Sequence, residues 1–340
     1  MAKHGYTVIE AVDGEDAFTK FLEHREEIGL VIVDGIMSKM NGKFLSRTII
    51  FSFIFLTFVS ASLVEGNAAA EEKSFLWRVQ SKTGTTFIFG SVHMAKPDIY
   101  PLPLKIQESF TKSSVLALEA DPAKATEPDT QQRMIHAAFY TGEDMLQQHV
   151  SKQTYELAAQ TMQQIGLPIT KFNKAKPWFL ALTIEALELL RLGYNPEHGL
   201  DRHFAVEAKG KKKLVELESF DKQINLLNGF TDRQQDQFLF YTLMDLKSLP
   251  TVIEAIMHAW RTGDVETMET LVTQTVRGYP EIGPVFDVLI YQRNRNMAKK
   301  IEQFLQSGDT VFAVIGAAHL VGKEGIIELL KKKGYSAEQM

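Results

Sequence analysis

The chain has 340 residues, 45% of them hydrophobic and 23% charged, with a formal net charge of −5 and no cysteine. That composition suits a folded chain of one large domain or two smaller ones. The acidic balance offers no basic surface for nucleic acid, and the missing cysteines exclude disulfides, zinc–thiolate sites and thiol nucleophiles.

Residues 1–39 read as strand, helix, strand: Tyr6–Ala11, Gly14–Glu26 and Leu30–Asp34. The segments "HGYTVIEAVDGEDAF" and "LVIVDGIMSKMNG" resemble the middle of a response-regulator receiver domain, with Asp34 at the phosphoacceptor position. The first strand, the magnesium-holding acidic residues and the later strands of such a domain are absent. Ser38 stands where that family has proline. The fragment is expected neither to fold alone nor to accept phosphate. It reads as a fusion remnant or a misassigned start, with Met37 or Met40 as candidate starts.

Residues 40–70 carry the pattern of a signal peptide. Lys43 and Arg47 precede an uncharged apolar run over 48–64, and Ala68-Ala69-Ala70 supplies small residues before Glu71-Glu72-Lys73. Cleavage is expected near Ala70, which makes the protein exported, periplasmic or secreted. If uncleaved, residues 48–64 would be a membrane anchor and the only membrane contact.

Residues 71–340 form the functional body. Phe75–Val79 and Thr85–Phe89 flank the turn signal Ser81-Lys82-Thr83-Gly84 and predict a hairpin. Pro97, Pro101 and Pro103 mark a loop, and Leu104–Lys112 is a short amphipathic helix. "SSVLALEADP" is a second buried strand, and "KLVELES" a third after the charged turn Lys209–Lys213. Thr130–Arg191 and Phe220–Gln306 carry helical periodicity. "TVFAVIGAAHL" is a fourth strand and Lys323–Lys333 a closing helix. Strands separated by long helical stretches predict an α/β fold with a mixed, mostly parallel central sheet and long helical insertions.

Each of the four strands delivers an ionisable side chain at its carboxyl end. The first runs into Gly90-Ser91-Val92-His93 and the last into Gly316-Ala317-Ala318-His319, a repeated G-x-x-H. Between them stand Glu119 and Glu218. In α/β sheets that edge forms the ligand crevice. Two histidines with one or two carboxylates suit a divalent ion such as zinc, manganese, iron or cobalt, which would activate water. A spare carboxylate could act as general base. Singly, each residue is as much at home as a hydrogen-bonded loop residue or helix cap; the repetition carries the reading. Asp201, in "NPEHGLDRHF", is either a helix N-cap or one more site carboxylate. Arg293, in "YQRNRNMAKKI", either faces solvent or binds a carboxylate.

Together "FLWRV…TTFIFGSVHMAKPDIYPLP…LALEADP", "GLDRHFAVEAKGKKKLVELES", "QRNRNMAKKI" and "VFAVIGAAHLVGKEGIIELLKKKGY" resemble the TraB/GumN family. That family includes the TIKI metalloproteases and is similar to the erythromycin esterase/ChaN-like superfamily. The resemblance implies that His93, His319 and Glu119 hold a metal, and that Glu119, Glu218 and Arg293 serve catalysis. Gly90, Gly316, Asp201 and Asn294 would bind substrate or support the site. It implies manganese or cobalt as the favoured ion and a peptide or small-molecule substrate. The expected function is an exported metal-dependent hydrolase, a peptidase first. The alternatives are a non-catalytic haem or metal-binding protein of ChaN-like type, or an accessory factor in polysaccharide export or conjugation.

Overall fold

A computed structural model describes residues 73–340 together with Lys20. Apart from Lys20, the receiver-like fragment and the signal-peptide segment lie outside the described residues.

The expected hairpin forms. Strands β1 (Leu76–Gln80) and β2 (Thr85–Ser91) pair antiparallel, with Leu76 opposite Phe89. Ser81 Oγ accepts hydrogen bonds from the backbone N–H groups of Thr83 and Gly84 at 3.0 and 2.9 Å, a local bond that closes the turn. Helix α1 (Leu104–Lys112) follows the proline loop and leads to β3 (Val115–Leu118).

The first long helical stretch resolves into α2 (Pro128–Ala138), α3 (Lys152–Gln164) and α4 (Pro177–Arg191). Proline opens α2 and α4 at the first helical position, where its missing N–H costs nothing. Nearly every residue of α4 is buried, Glu185 among them, so it is a core helix. Helix α5 (Leu200–Ala208) precedes β4 (Lys213–Glu216). The second stretch divides into α6 (Phe220–Asn228), α7 (Asp232–Asp245), α8 (Leu249–Thr262), α9 (Val265–Gly278), the single turn α10 (Gly283–Phe286) and α11 (Gln292–Ser307). One π-helical turn, Asp287–Tyr291, joins α10 to α11. Strand β5 (Thr310–Gly316), helix α12 (Ile326–Lys332) and β6 (Ser336–Gln339) complete the chain.

The sheet order is β4-β3-β5-β2-β1-β6. Strands β4, β3, β5 and β2 run parallel, and β1 is antiparallel to both of its neighbours. The fold is therefore α/β with a mixed, mostly parallel sheet. Strands β2, β3 and β5 are buried almost throughout, as expected where helices cover both faces of a parallel sheet. Phe89 of β2 and Phe312 of β5 pack with Phe204 of α5, and Phe110 of α1 packs on Phe204 and Phe312. The expected closing helix is shorter than its apolar pattern, because residues 321–325 form a turn held by a bond from Gly325 N–H to Gly322 O at 2.9 Å. Among the described residues no helix is long and apolar enough to cross a membrane.

Candidate active site

The register of the parallel strands decides what meets at their carboxyl ends. Ser91 of β2 lies beside Gly316 of β5, and Leu118 of β3 lies beside Val314 of β5 and Glu216 of β4. The four strands end at nearly one level, and the chain just beyond each carries His93, His319, Glu119 and Glu218. Backbone bonds continue past β3 and β4: Leu217 N–H donates to Leu118 O at 2.7 Å and Glu218 N–H to Glu119 O at 2.6 Å. The two glutamates therefore leave adjacent strands together.

Arg293 joins them. Its Nη2 donates to Glu119 Oε2 and its Nε to Glu218 Oε2, each at 2.7 Å. All three side chains are at most 3% exposed. The other oxygen of Glu119 accepts the Gly316 N–H at 2.6 Å. The other oxygen of Glu218 accepts from Lys222 Nζ at 3.1 Å, and Lys222 reaches partly into solvent.

One guanidinium shared by two buried carboxylates cannot neutralise both, and the shortfall falls on Glu119. Burial pushes the Glu119 carboxyl above its ordinary range, and Arg293 and His93 only partly oppose it. Burial acts on Glu218 in the same sense, but Arg293 and Lys222 together outweigh it and hold that carboxyl below its ordinary range. Burial also works against charge on Arg293, yet Glu218 and Glu119 outweigh it and its pKa is raised, so it stays cationic.

The histidines are anchored through opposite chemistry. His93 Nδ1 lies 2.7 Å from Asp201 Oδ2, and Asp201 Oδ1 accepts from Ser91 Oγ at 3.0 Å. Burial disfavours charge on His93, but the Asp201 carboxylate outweighs it and raises the imidazole pKa. His319 Nδ1 lies 2.6 Å from Asn294 Oδ1. Burial, then Arg293 and His93, hold His319 well below its ordinary range, so this ring is neutral. The Nε2 atom of each histidine is buried without a hydrogen-bond partner among the described residues. His319 Nε2 stands 4.0 Å from Glu119 Oε1.

Local structure explains these placements. Helix α5 begins against the His93 loop, where Leu200 N–H donates to Val92 O at 3.0 Å. The approach is so close that a Cβ on Gly199 would lie 2.2 Å from the His93 carbonyl oxygen, so only glycine fits. Asp201 follows two residues later and meets the imidazole. The π-helical turn before α11 precedes Arg293 and Asn294, neighbours that both point inward, and π-turns are frequent at functional sites.

Of the residues singled out from sequence, the structure brings together His93, His319, Glu119, Glu218, Arg293, Asp201, Asn294 and the Gly316 amide. Gly90 packs closely: its carbonyl accepts from Trp260 Nε1 at 2.7 Å, and a Cβ there would lie 2.5 Å from Phe75 Cδ1. Ser91 and Lys222 were not singled out. Lys222 could have been, since it stands four residues after Glu218. Among the described residues no group of three or more histidines, aspartates or glutamates is arranged to hold a metal ion. Both Glu119 oxygens accept hydrogen bonds, from Gly316 and Arg293.

Fold and site define a class: an α/β protein with a buried histidine, carboxylate and arginine centre at the carboxyl edge of its sheet. Residues 75–339 match the model of the TraB/PrgY/gumN family, and the chain belongs to that family. It is 24% identical over 245 residues to YbaP of Escherichia coli, covering 72% of this chain and 87% of that protein. It is 24% identical over 318 residues to the metalloprotease TIKI homolog of Nematostella vectensis, covering 78% of this chain and 66% of that protein. Human metalloprotease TIKI1 is 20% identical over 323 residues, covering 79% of this chain and 62% of that protein. The chain thus spans slightly under two thirds of these TIKI proteins. No solved structure matches.

Proposed function

We propose that this protein is a metal-dependent hydrolase acting on peptides. The observation that carries the reading is the pair of buried, unpartnered Nε2 atoms on His93 and His319, at the ends of two adjacent parallel strands. Each ring turns its Nδ1 edge to an acceptor oxygen, the outer support that metal-binding histidines usually have. In kind these donors fit a borderline divalent ion; in number the two nitrogens are one short of the three protein ligands usual in a catalytic zinc site. His93 and His319 would hold the ion, which when bound would supply Lewis acidity toward a scissile carbonyl. The metalloprotease names of the TIKI relatives support the same reading.

The protein's own residues do the rest. Glu119, with its raised pKa and its place beside His319, takes up and returns the proton as general base and acid. Arg293 stays cationic and holds Glu119 in place, with Glu218 as the permanent counter-charge that keeps the guanidinium there. Manganese or cobalt is the proposed ion.

We place the protein outside the cytoplasm, on the strength of the signal-like segment 40–70. N-terminal sequencing of native protein tests that placement, with Ala70 near the expected cleavage point. For the activity, a peptide-library screen with added manganese or cobalt is expected to yield cleavage products. None with either ion, together with a haem Soret band that His93→Ala and His319→Ala abolish, would contradict it.

A further inference from the structure

His319 makes one hydrogen bond through its ring, and the partner's orientation is itself fixed. Asn294 Nδ2 donates to the backbone carbonyl of Glu324 at 2.8 Å. A carbonyl only accepts, so the amide cannot turn round without setting two acceptors against each other. Asn294 Oδ1 must then face His319 Nδ1 at 2.6 Å, and that oxygen also only accepts. The ring proton therefore sits on Nδ1 and the lone pair on Nε2, the atom that has no partner and lies 4.0 Å from Glu119.

What aims the Glu324 carbonyl is the turn "VGKEG" just past the second G-x-x-H. Gly322 adopts φ of +81°, in the left-handed region that glycine enters without strain. Gly325 N–H closes the turn on Gly322 O at 2.9 Å. A Cβ on Gly325 would lie 2.3 Å from Val321 O and 2.7 Å from Leu320 O, both backbone atoms that cannot swing aside. The turn is thus built tightly, outside the cluster of ionisable groups.

We propose that Asn294 and the glycine-built turn 321–325 are positioning elements that lock His319 in the Nδ1–H tautomer, so that Nε2 presents its lone pair to whatever the site binds. A neutral histidine without such a partner exchanges between both tautomers. Here a carbonyl five residues further along the chain, acting through Asn294, chooses between them. The role does not depend on the reaction being peptide hydrolysis, because its readout is the ring and not turnover.

Nitrogen-15 spectra of the full chain, labelled at histidine and stripped of metal with chelator, test it. The His319 resonances are identified by their loss in His319→Gln. The wild type is expected to show a protonated Nδ1 and an unprotonated Nε2 on that ring. Asn294→Leu should give a mixture of tautomers, and Gly325→Ala should give a mixture without touching a site residue. A wild-type proton on Nε2, or an unchanged pattern in both Asn294→Leu and Gly325→Ala, would overturn the proposal. If Asn294→Leu fails to fold, the wild-type spectrum and Gly325→Ala still decide. Correct tautomers in a protein that cleaves no peptide would fault the proposed activity and leave this role intact.

Discussion

The backbone N–H of Glu218 donates to the carbonyl oxygen of Glu119 at 2.6 Å, and the two carboxylates that follow share one arginine. Two buried anions so close would repel each other without Arg293. Their unlike surroundings then separate them, Glu119 upward and Glu218 downward in pKa. Such a separation is how a site divides proton transfer from charge stabilisation.

Removing the arginine leaves both carboxylates buried without their shared partner. Arg293→Met should cost about 3–5 kcal/mol of folding stability, the usual loss when one side of a buried ion pair is deleted. Urea unfolding measures it. Adding Glu119→Gln and Glu218→Gln should recover much of the loss, and a single variant as stable as wild type would contradict the ion-pair account.

Glu119→Gln and Glu218→Gln should differ in kinetics. Loss of the general base at Glu119 is expected to lower kcat by about 10²–10⁴-fold with little change in KM. Glu218→Gln should do less to kcat, because it touches Arg293 and not the histidines. Equal losses in both, measured on one peptide substrate, would remove the distinction between them.

Gly199 predicts a steric result. Gly199→Ala forces the His93 carbonyl and the start of α5 apart. The thermal midpoint should fall, and activity should fall further than stability explains, because Asp201 moves away from His93. Unchanged activity at a temperature where the variant is fully folded would show that the contact between them is dispensable.

Glu185 gives a pH prediction away from the site. It is buried in α4, and burial pushes its carboxyl well above the ordinary range. A carboxyl whose folded pKa is raised stabilises the fold below its unfolded pKa, and that contribution is lost as pH rises through the folded value. Glu185→Gln should therefore be more stable than wild type under mildly alkaline conditions, the advantage shrinking as pH falls. Thermal melts across a pH series check this, and a gap that widens on acidification would contradict it.

Much of this was legible in the sequence because strands buried on both faces are written as apolar runs, and a glycine or an acidic residue marks where each stops. Val311–Ile315 and Phe87–Phe89 announce themselves in that way. Sheet order was not legible, since no residue in β3 states that β5 lies beside it. Strand β6 was missed because "SAEQ" is polar and partly exposed, and pairs only with the edge of β1. The breaks within the helical stretches depend on capping bonds such as Thr231 Oγ1 to Gln234 N–H at 3.3 Å, which periodicity does not register. Arg293 was ambiguous between solvent and site because a charge on a helix reads as exposed until its partners are in place. Asp201 owes its position to Gly199, a close approach visible only in three dimensions.

The central claim is that His93 Nε2 and His319 Nε2 together hold a divalent ion. Titration calorimetry of metal-free protein with manganese and with cobalt tests it most directly, on wild type, His93→Ala, His319→Ala and the double variant, with folding checked by circular dichroism. The account predicts one ion per chain in the wild type and loss of that binding in each folded single variant. Undiminished stoichiometry and affinity in both single variants would contradict it.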